Sequence, residues 1–248
     1  MFTIDLSGSG RYHTLVMLRK RSRQKEILDL ETPPADEVFE AYRLIDRVNR
    51  FLGGTSGILY HFKSFARQWD KKKVIRILDI GSGSCDIPKT IVRWAKRKGY
   101  RVKVVGLDTS EAALAFAAEN VKTLPEIALV RGSVFSLPFK QQSFDYAISS
   151  LFFHHLSDDQ IPYVLKSLDE LTQQGLVIND LLRRLRAYLW ISFFSLWTKS
   201  RVFKTDAPLS VLRGFKRKEI EALIKKSGLH YLKFHYHFPH RFALAGEK

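Results

Sequence analysis

The sequence predicts an α/β protein built on a doubly wound, mostly parallel, seven-stranded sheet. Three observations carry that expectation. Short β-branched runs alternate with helical stretches from Val74 to Ile178, the pattern of β-α units that build a parallel sheet. The first run turns into a helix through Asp79-Ile80-Gly81-Ser82-Gly83, where glycines let backbone approach a ligand and helix amides attract negative groups. The second run ends at Asp108, 27 residues after Gly81, the point where such sheets place an acid that accepts both hydroxyls of a ribose.

Each element has its own signal. Residues 1–35 show no clear periodicity and read as a loop ending in Thr32-Pro33-Pro34. Val38, Ala41, Tyr42, Ile45, Val48 and Phe51 lie on one helix face, which Gly53-Gly54 stops. Ile58, Phe62, Phe65 and Trp69 mark a second helix, and the two form a cap on the α/β region. Strands are expected at 74–80, 102–107, 127–130, 146–149 and 176–178, with helices at 87–98, 110–120 and 161–171 between them. Residues 181–199 are rich in Leu, Trp and Phe and read as a helical lid. A loop at 209–214, an amphipathic helix at 216–227 and an antiparallel pair at 229–238 and 241–245 close the sheet edge. Three regions result: a segment with a helical cap at 1–73, an α/β core at 74–180, and a basic region at 181–248.

Charge divides along the same lines. Of 41 basic and 25 acidic residues, the core carries 12 of each, while 181–248 carries 15 basic and 4 acidic. An excess of that kind attracts nucleic acid, anionic lipid or acidic substrates, or is simply a solvated surface. With 45% hydrophobic residues the chain is no disordered basic arm. The single cysteine, Cys85, excludes an intrachain disulfide and fits a reducing compartment. The longest nearly uncharged apolar run, Ala187 to Thr198, has 12 residues, short of the roughly 20 needed to span a bilayer. Without a visible secretory signal, a cytoplasmic protein, peripheral to the inner membrane face at most, is expected. The eight histidines lack metal-ligand spacing, so no metal site is expected.

Further signals are Leu137-Pro138-Phe139, Ser143-Phe144-Asp145, and a fourth strand that ends Ser149-Ser150-Leu151-Phe152-Phe153-His154-His155-Leu156. Together with the glycine turn and Asp108, these motifs resemble class I S-adenosylmethionine-dependent methyltransferases of the small-molecule branch, which includes quinone-biosynthesis C-methyltransferases. The flanking Val48-Asn49-Arg50-Phe51-Leu52-Gly53-Gly54 and Val177-Ile178-Asn179-Asp180-Leu181 look like the methyltransferases found beside bacterial type III polyketide synthases. The resemblance implies a Rossmann-like methyltransferase fold and S-adenosyl-L-methionine as cofactor. It implies that Gly81, Ser82 and Gly83 contact the methionine part, with Asp79 supporting the turn. Asp108 would hold the ribose, Thr109 and Ser110 would flank the adenine, and Ser133 and Val134 would stand where the family usually has Asp-Ala. Ser150 and Leu151 complete the implied cofactor set. Cys85 occupies a usual Gly or Ala position and reads as an inert packed thiol.

Methyl transfer from a sulfonium needs alignment above all, and a base when the acceptor is a phenol or acidic carbon. His154, His155 and Asp180 stand at the ends of strands four and five, where α/β sheets bind ligands. Each has two open roles: proton transfer, or a structural one, which for Asp180 is capping the helix after it. Tyr188, Trp190 and Phe194 on the aromatic segment are substrate-contact candidates. Arg183, Arg184, Arg186 and Lys199 around them suit an anionic membrane surface, with 181–204 as the docking region.

The expected activity is methylation of a small lipophilic, aromatic acceptor such as a phenol, quinol or polyketide product, at oxygen slightly before carbon. The alternatives are an RNA methyltransferase, disfavoured because Ser149-Ser150-Leu151-Phe152 stands where base methyltransferases carry Asn/Asp-Pro-Pro-Tyr/Phe, and a non-catalytic cofactor-binding module.

Overall fold

The computed structural model describes residues 18–30 and 33–248. A seven-stranded sheet in the order β3-β2-β1-β4-β5-β7-β6 runs through it. Its strands are β1 (Val74–Ile80), β2 (Arg101–Asp108), β3 (Ile127–Arg131), β4 (Phe144–Ser150), β5 (Thr172–Leu181), β6 (Lys233–His237) and β7 (Arg241–Glu247). The first five pair in parallel, and β7 lies antiparallel between β5 and β6. The chain leaves β1 in one direction toward β2 and later returns to its other side as β4. That order reversal opens a crevice at the carboxyl ends of β1 and β4.

Helices α4 (Asp86–Lys98), α5 (Glu111–Val121) and α6 (Gln160–Leu171) make the crossovers, and α9 (Arg217–Ser227) packs against α6. Their limits have local causes. The hydroxyl of Ser110 accepts from Ala113 N at 3.2 Å to start α5, and Gly99 ends α4 in the left-handed region at φ 74°. Two apolar layers cover the sheet. One holds Phe62, Trp69, Trp94 and Tyr146; the other holds Phe153, Leu165, Phe215 and Phe242.

Helices α2 (Ala35–Phe51) and α3 (Gly54–Phe65) sit over the sheet as the expected cap, with a 3₁₀ turn at Ala66–Gln68 finishing the second. Pro34 precedes α2, and Asp36 and Glu37 occupy its first turn, where the helix dipole favours negative charge. Two expectations are corrected. Of the loop expected at 1–35, residues 1–17 and 31–32 lie outside the described residues and 18–26 carry no helix or strand. Ile27–Leu30, however, form the short helix α1, whose first amides are fixed by Asp206. The loop expected at 209–214 is instead the end of α8 (Arg201–Arg213), which continues through Pro208. Ser200 caps that helix, and the bond between Leu28 N and Asp206 gives residues 201–213 a partner no local pattern reveals.

The segment α7 (Leu185–Leu196) is turned inside out. Ser192 and Ser195 are its buried residues, while Leu189, Trp190, Phe193, Phe194 and Leu196 face outward, followed by Trp197 at 77% exposure. No helix among the described residues is long and apolar enough to cross a membrane.

Candidate active site

A cavity of about 1110 Å³ occupies the crevice beyond β1, β2 and β4, roofed by α2, α7 and α8. Pockets for one small ligand span roughly 300–1,000 Å³, so this one has room for a cofactor and an acceptor together.

Its floor is the glycine turn. Gly81 has φ 63°, and a Cβ there would lie 2.5 Å from the Phe152 ring; Gly83 has φ 49°, with Tyr42 at 2.9 Å from its would-be Cβ. Only glycine gives both the left-handed backbone and the space. Asp108 at the end of β2 accepts from Gly83 N at 2.8 Å and Ser110 N at 2.9 Å, so it draws the β1 and β2 loops together. Each carboxylate oxygen has a second lone pair for a ribose hydroxyl. Ser150 Oγ is buried without a partner, and Ser82 Oγ has none except the Cys85 thiol. Both serines line the cavity. Leu151, at φ 56°, holds a strained left-handed backbone at the same wall.

The floor is also strongly acidic. Burial pushes Asp79 well above the usual carboxylate range, and the nearby Asp86 and Asp108 add to it. Burial and Asp46 push Asp86 up to about 7. Burial likewise raises Asp108. These carboxylates crowd one another, and a ligand carrying an ammonium and a sulfonium relieves that repulsion. Orphaned serines, a glycine cradle and an acidic floor therefore fit S-adenosylmethionine. Thr109, Ser110, Ser133 and Val134 line the adjoining wall, although Ser133 Oγ also accepts from Phe135 N at 3.2 Å. Cys85 is buried beside Gly106, whose missing Cβ would come within 2.7 Å of Sγ. The larger residue in the turn is thus accommodated by a glycine on β2. Burial raises this thiol too, as an inert cysteine requires.

Beyond Phe152, whose ring abuts Gly81, lies a polar knot. His154 is buried, with Nδ1 2.7 Å from Asp180 Oδ1 and its backbone N donating to Asp180 Oδ2 at 3.0 Å. Its Nε2 is 3.5 Å from Glu26 Oε1. Burial disfavours the charged ring, but Asp180 and Glu26 outweigh it and raise His154 to about 9. His155 is partly open to the cavity and has Nδ1 2.9 Å from Asp29 Oδ1. Burial would raise Glu26 and Asp29, but His155 and Arg213 hold both below the usual range, with His154 adding to the effect on Glu26. Arg213 Nη1 lies 2.7 Å from Asp29 Oδ2. Arg21 donates to the carbonyls of Arg213, His154 and Leu156, which fastens the N-terminal segment across the site.

Several candidates are placed differently from expectation. Asp180 does not reach the cavity and caps no following helix; it is fully buried behind His154 and also accepts from Leu181 N. Trp190 and Phe194 line the cavity mouth, whereas Tyr188 lies outside its lining. Arg183 is no surface cation: it is buried and donates to Leu18 O, Gly214 O and Glu219. Glu26, Asp29 and Arg213 were invisible to motif reading. The only available signal was the spacing of Glu26 and Asp29 within Glu26-Ile27-Leu28-Asp29-Leu30. The flanking stretches around Asn49 and Asn179 do meet: Arg241, buried on β7, donates to Asn179 Oδ1 at 3.0 Å and Asn49 Oδ1 at 3.1 Å.

Residues 77–175 match the family described as "Methyltransferase domain". Over nearly its whole length the α/β core is thus similar to a methyltransferase domain. The chain is 29% identical over 113 residues to the demethylmenaquinone methyltransferase of Bacillus cereus (strain ATCC 10987 / NRS 248), covering 42% of this chain and 47% of that protein. The Bacillus cytotoxicus protein of the same name is 30% identical over the same length. The chain thus spans about half the length of the curated relatives it matches. Among solved structures, a SAM-dependent methyltransferase from Aquifex aeolicus superposes with a TM-score of 0.57 at 16% identity, covering 85% of this chain and 97% of that one. The citrinin polyketide synthase CMeT domain gives 0.57 at 13% identity, covering 75% and 49%. At these identities the structural likeness is one of fold.

Proposed function

We propose that this chain transfers a methyl group from S-adenosylmethionine to a small lipophilic, aromatic acceptor such as a phenol, quinol or polyketide product, at oxygen before carbon. The observation that carries the reading is a single cavity with three unlike walls. The acidic glycine floor suits the cofactor, Glu26, His154 and His155 form a polar end, and Trp190, Phe194 and Phe238 make an aromatic mouth. Bound S-adenosylmethionine supplies an activated methyl for in-line displacement. Asp108, Ser82 and Ser150 bind it, and the chain's remaining task is to align the acceptor and take up its proton. The aromatic mouth holds the acceptor's apolar body, and the polar knot receives its hydroxyl. Asp180 acts through His154, as a positioning residue. The name of the Bacillus relatives supports a lipophilic acceptor.

The acceptor enters from an anionic membrane surface. Leu189, Phe193, Leu196 and Trp197 are exposed beside the mouth, with Arg184, Arg186 and Lys199 along the same segment. Aromatics at the acyl boundary and cations at the headgroups are the arrangement of an interfacial helix.

The test is incubation with isotopically labelled S-adenosylmethionine against alkylated phenols and quinols, a cell lipid extract, and total RNA. Label appearing in a lipid-soluble product one methylene heavier supports the reading. Label in RNA, or in none of the three while the cofactor binds, overturns it.

A further inference from the structure

We propose that Glu26, His154 and His155 form a binding site for one divalent transition-metal ion at the acceptor end of the cavity. The inference rests on the methyl-transfer reading of that cavity and specifies how its polar end handles the acceptor's hydroxyl.

One carboxylate oxygen of Glu26 and one ring nitrogen from each histidine lie within 4.8 Å of one another. His154 Nε2 is 3.5 Å from Glu26 Oε1, and His155 Nε2 is 3.8 Å from Glu26 Oε2. Two ligand atoms about 2.1 Å from a tetrahedral zinc ion lie about 3.4 Å apart. The two imidazoles approach different oxygens of the Glu26 carboxylate, and a set bounded at 4.8 Å closes around one ion by moving its ligand atoms about 1.4 Å at most.

The imidazole rings are already aimed. Asp180 Oδ1 lies 2.7 Å from His154 Nδ1, and Asp29 oxygens lie 2.9 and 3.1 Å from His155 Nδ1. A carboxylate behind Nδ1 of each imidazole leaves Nε2 facing forward, which is how metal-binding histidines are held. Two such histidines converge here on one Glu. Glu26 is itself pinned: Ser210 Oγ donates to Oε1 at 2.9 Å, and Asp206 anchors the next two amides. These fastenings come from α8, so the ligand from the N-terminal segment does not wander.

Charge points the same way. Glu26, Asp29 and Asp180 bring three carboxylates around two imidazoles; Arg213 is in ion-pair range of Glu26 and Asp29, and Arg21 and Arg241 act on Asp180 from farther away. Arg213 sits nearer Asp29, at 2.7 Å, than Glu26, at 3.7 Å. A divalent ion replaces the protons that would otherwise balance the knot. Two imidazoles and one carboxylate suit zinc over magnesium or calcium, which prefer all-oxygen shells. Two histidines and a glutamate leave the fourth position open, the form of a catalytic rather than a structural zinc site. Glu26, His154 and His155 all line the cavity, so an open position there is reachable from it. An acceptor hydroxyl held there is acidified, and its proton leaves to water in the cleft.

The protein, stripped with EDTA and dialysed, is titrated with Zn²⁺ by calorimetry, with bound zinc counted by elemental analysis. S-adenosylmethionine binding is measured on the same preparations. One ion per chain is expected, weakened at least 100-fold in Glu26→Gln and in His155→Asn, and unchanged in His237→Asn. The last variant controls for the separate His61–His237 contact, whose Nε2 atoms are 3.0 Å apart. Co²⁺ in place of Zn²⁺ should give the intense visible bands of a four-coordinate site in the native chain and lose them in Glu26→Gln. Cofactor binding retained in both variants shows that they fold. No zinc uptake, uptake indifferent to Glu26→Gln and His155→Asn, or uptake lost in His237→Asn overturns the site. If S-adenosylmethionine binds and zinc does not, the ion alone is refuted. If S-adenosylmethionine fails to bind, the methyl-transfer reading falls whatever zinc does.

Discussion

Replacing Phe193 and Trp197 together by serine should detach the protein from anionic vesicles while leaving its cofactor site intact. Both side chains belong to the outward face of α7 and its C-terminal end, at 56% and 77% exposure, and neither lines the cavity. An aromatic side chain offers roughly 200 Å², so the pair presents about 270 Å² of aromatic surface to whatever covers it. If half of that enters the acyl boundary, burial at about 25 cal/mol per Å² contributes roughly 3 kcal/mol. That corresponds to a partition coefficient about 100-fold lower in the double variant. Co-sedimentation with phosphatidylglycerol-containing vesicles reads the partition directly, with neutral phosphatidylcholine vesicles as the comparison. Native binding should weaken with added salt, because Arg184, Arg186 and Lys199 contribute about 1 kcal/mol each near an anionic surface. A double variant that binds within twofold of the native chain, with unchanged affinity for S-adenosylmethionine, would refute membrane docking through α7.

Three further outcomes concern the cofactor floor and the core. Asp108→Asn keeps the shape but removes the charge that would receive the ribose hydroxyls, so S-adenosylmethionine affinity by calorimetry should fall about 10–100-fold, the effect of roughly 1.5–3 kcal/mol. Burial, together with His235 and His237, lowers His61 to about 3. Its unfolded form takes a proton near pH 6.5 and the folded form does not, so stability should fall as pH drops from 6.5 toward 3, by up to about 1.4 kcal/mol per pH unit. Urea unfolding at pH 7 and pH 5 measures this, and His61→Gln should flatten the dependence. Cys85 is fully buried with its thiol raised by burial, so iodoacetamide at pH 8 should leave the native chain unlabelled by mass and label it once in denaturant.

Much of the core was legible in the sequence because its signals are local. A buried parallel strand reads as an apolar run rich in Val, Ile and Leu, as Val74–Ile80 does apart from Arg76 and Asp79, and the turn after it must be glycine because a Cβ on residue 81 would strike Phe152. Asp108 was readable because its place at a strand end is set by chain length between β1 and β2. The helix over 201–213 was not legible: Pro208 and the adjoining glycine resemble a loop, and what stabilises the helix is Asp206 meeting amides 27 and 28, over 170 residues away. Asp180 read as an active-site acid because the end of β5 is a functional position, yet its direction into the core behind His154 depends on the packing of the 3₁₀ turn at Phe153–His155.

The sequence by itself determined the α/β core, its doubly wound, mostly parallel sheet, and the glycine turn and Asp108 that line the crevice. Each stems from periodicity, glycine backbone freedom or fixed spacing, all short-range properties. Only the tertiary structure decided which distant residues join the histidines in the cavity wall. Glu26 and Asp29 lie more than 120 residues before the histidines they face. Arg183 and Arg184 are neighbours in sequence, but one is buried and the other exposed. The aromatic residues of α7 read alike as core or surface until the fold turned Ser192 and Ser195 inward. Long-range contacts of this kind are settled by which surfaces remain once the sheet and its crossovers have packed, and no window of neighbouring residues contains that information.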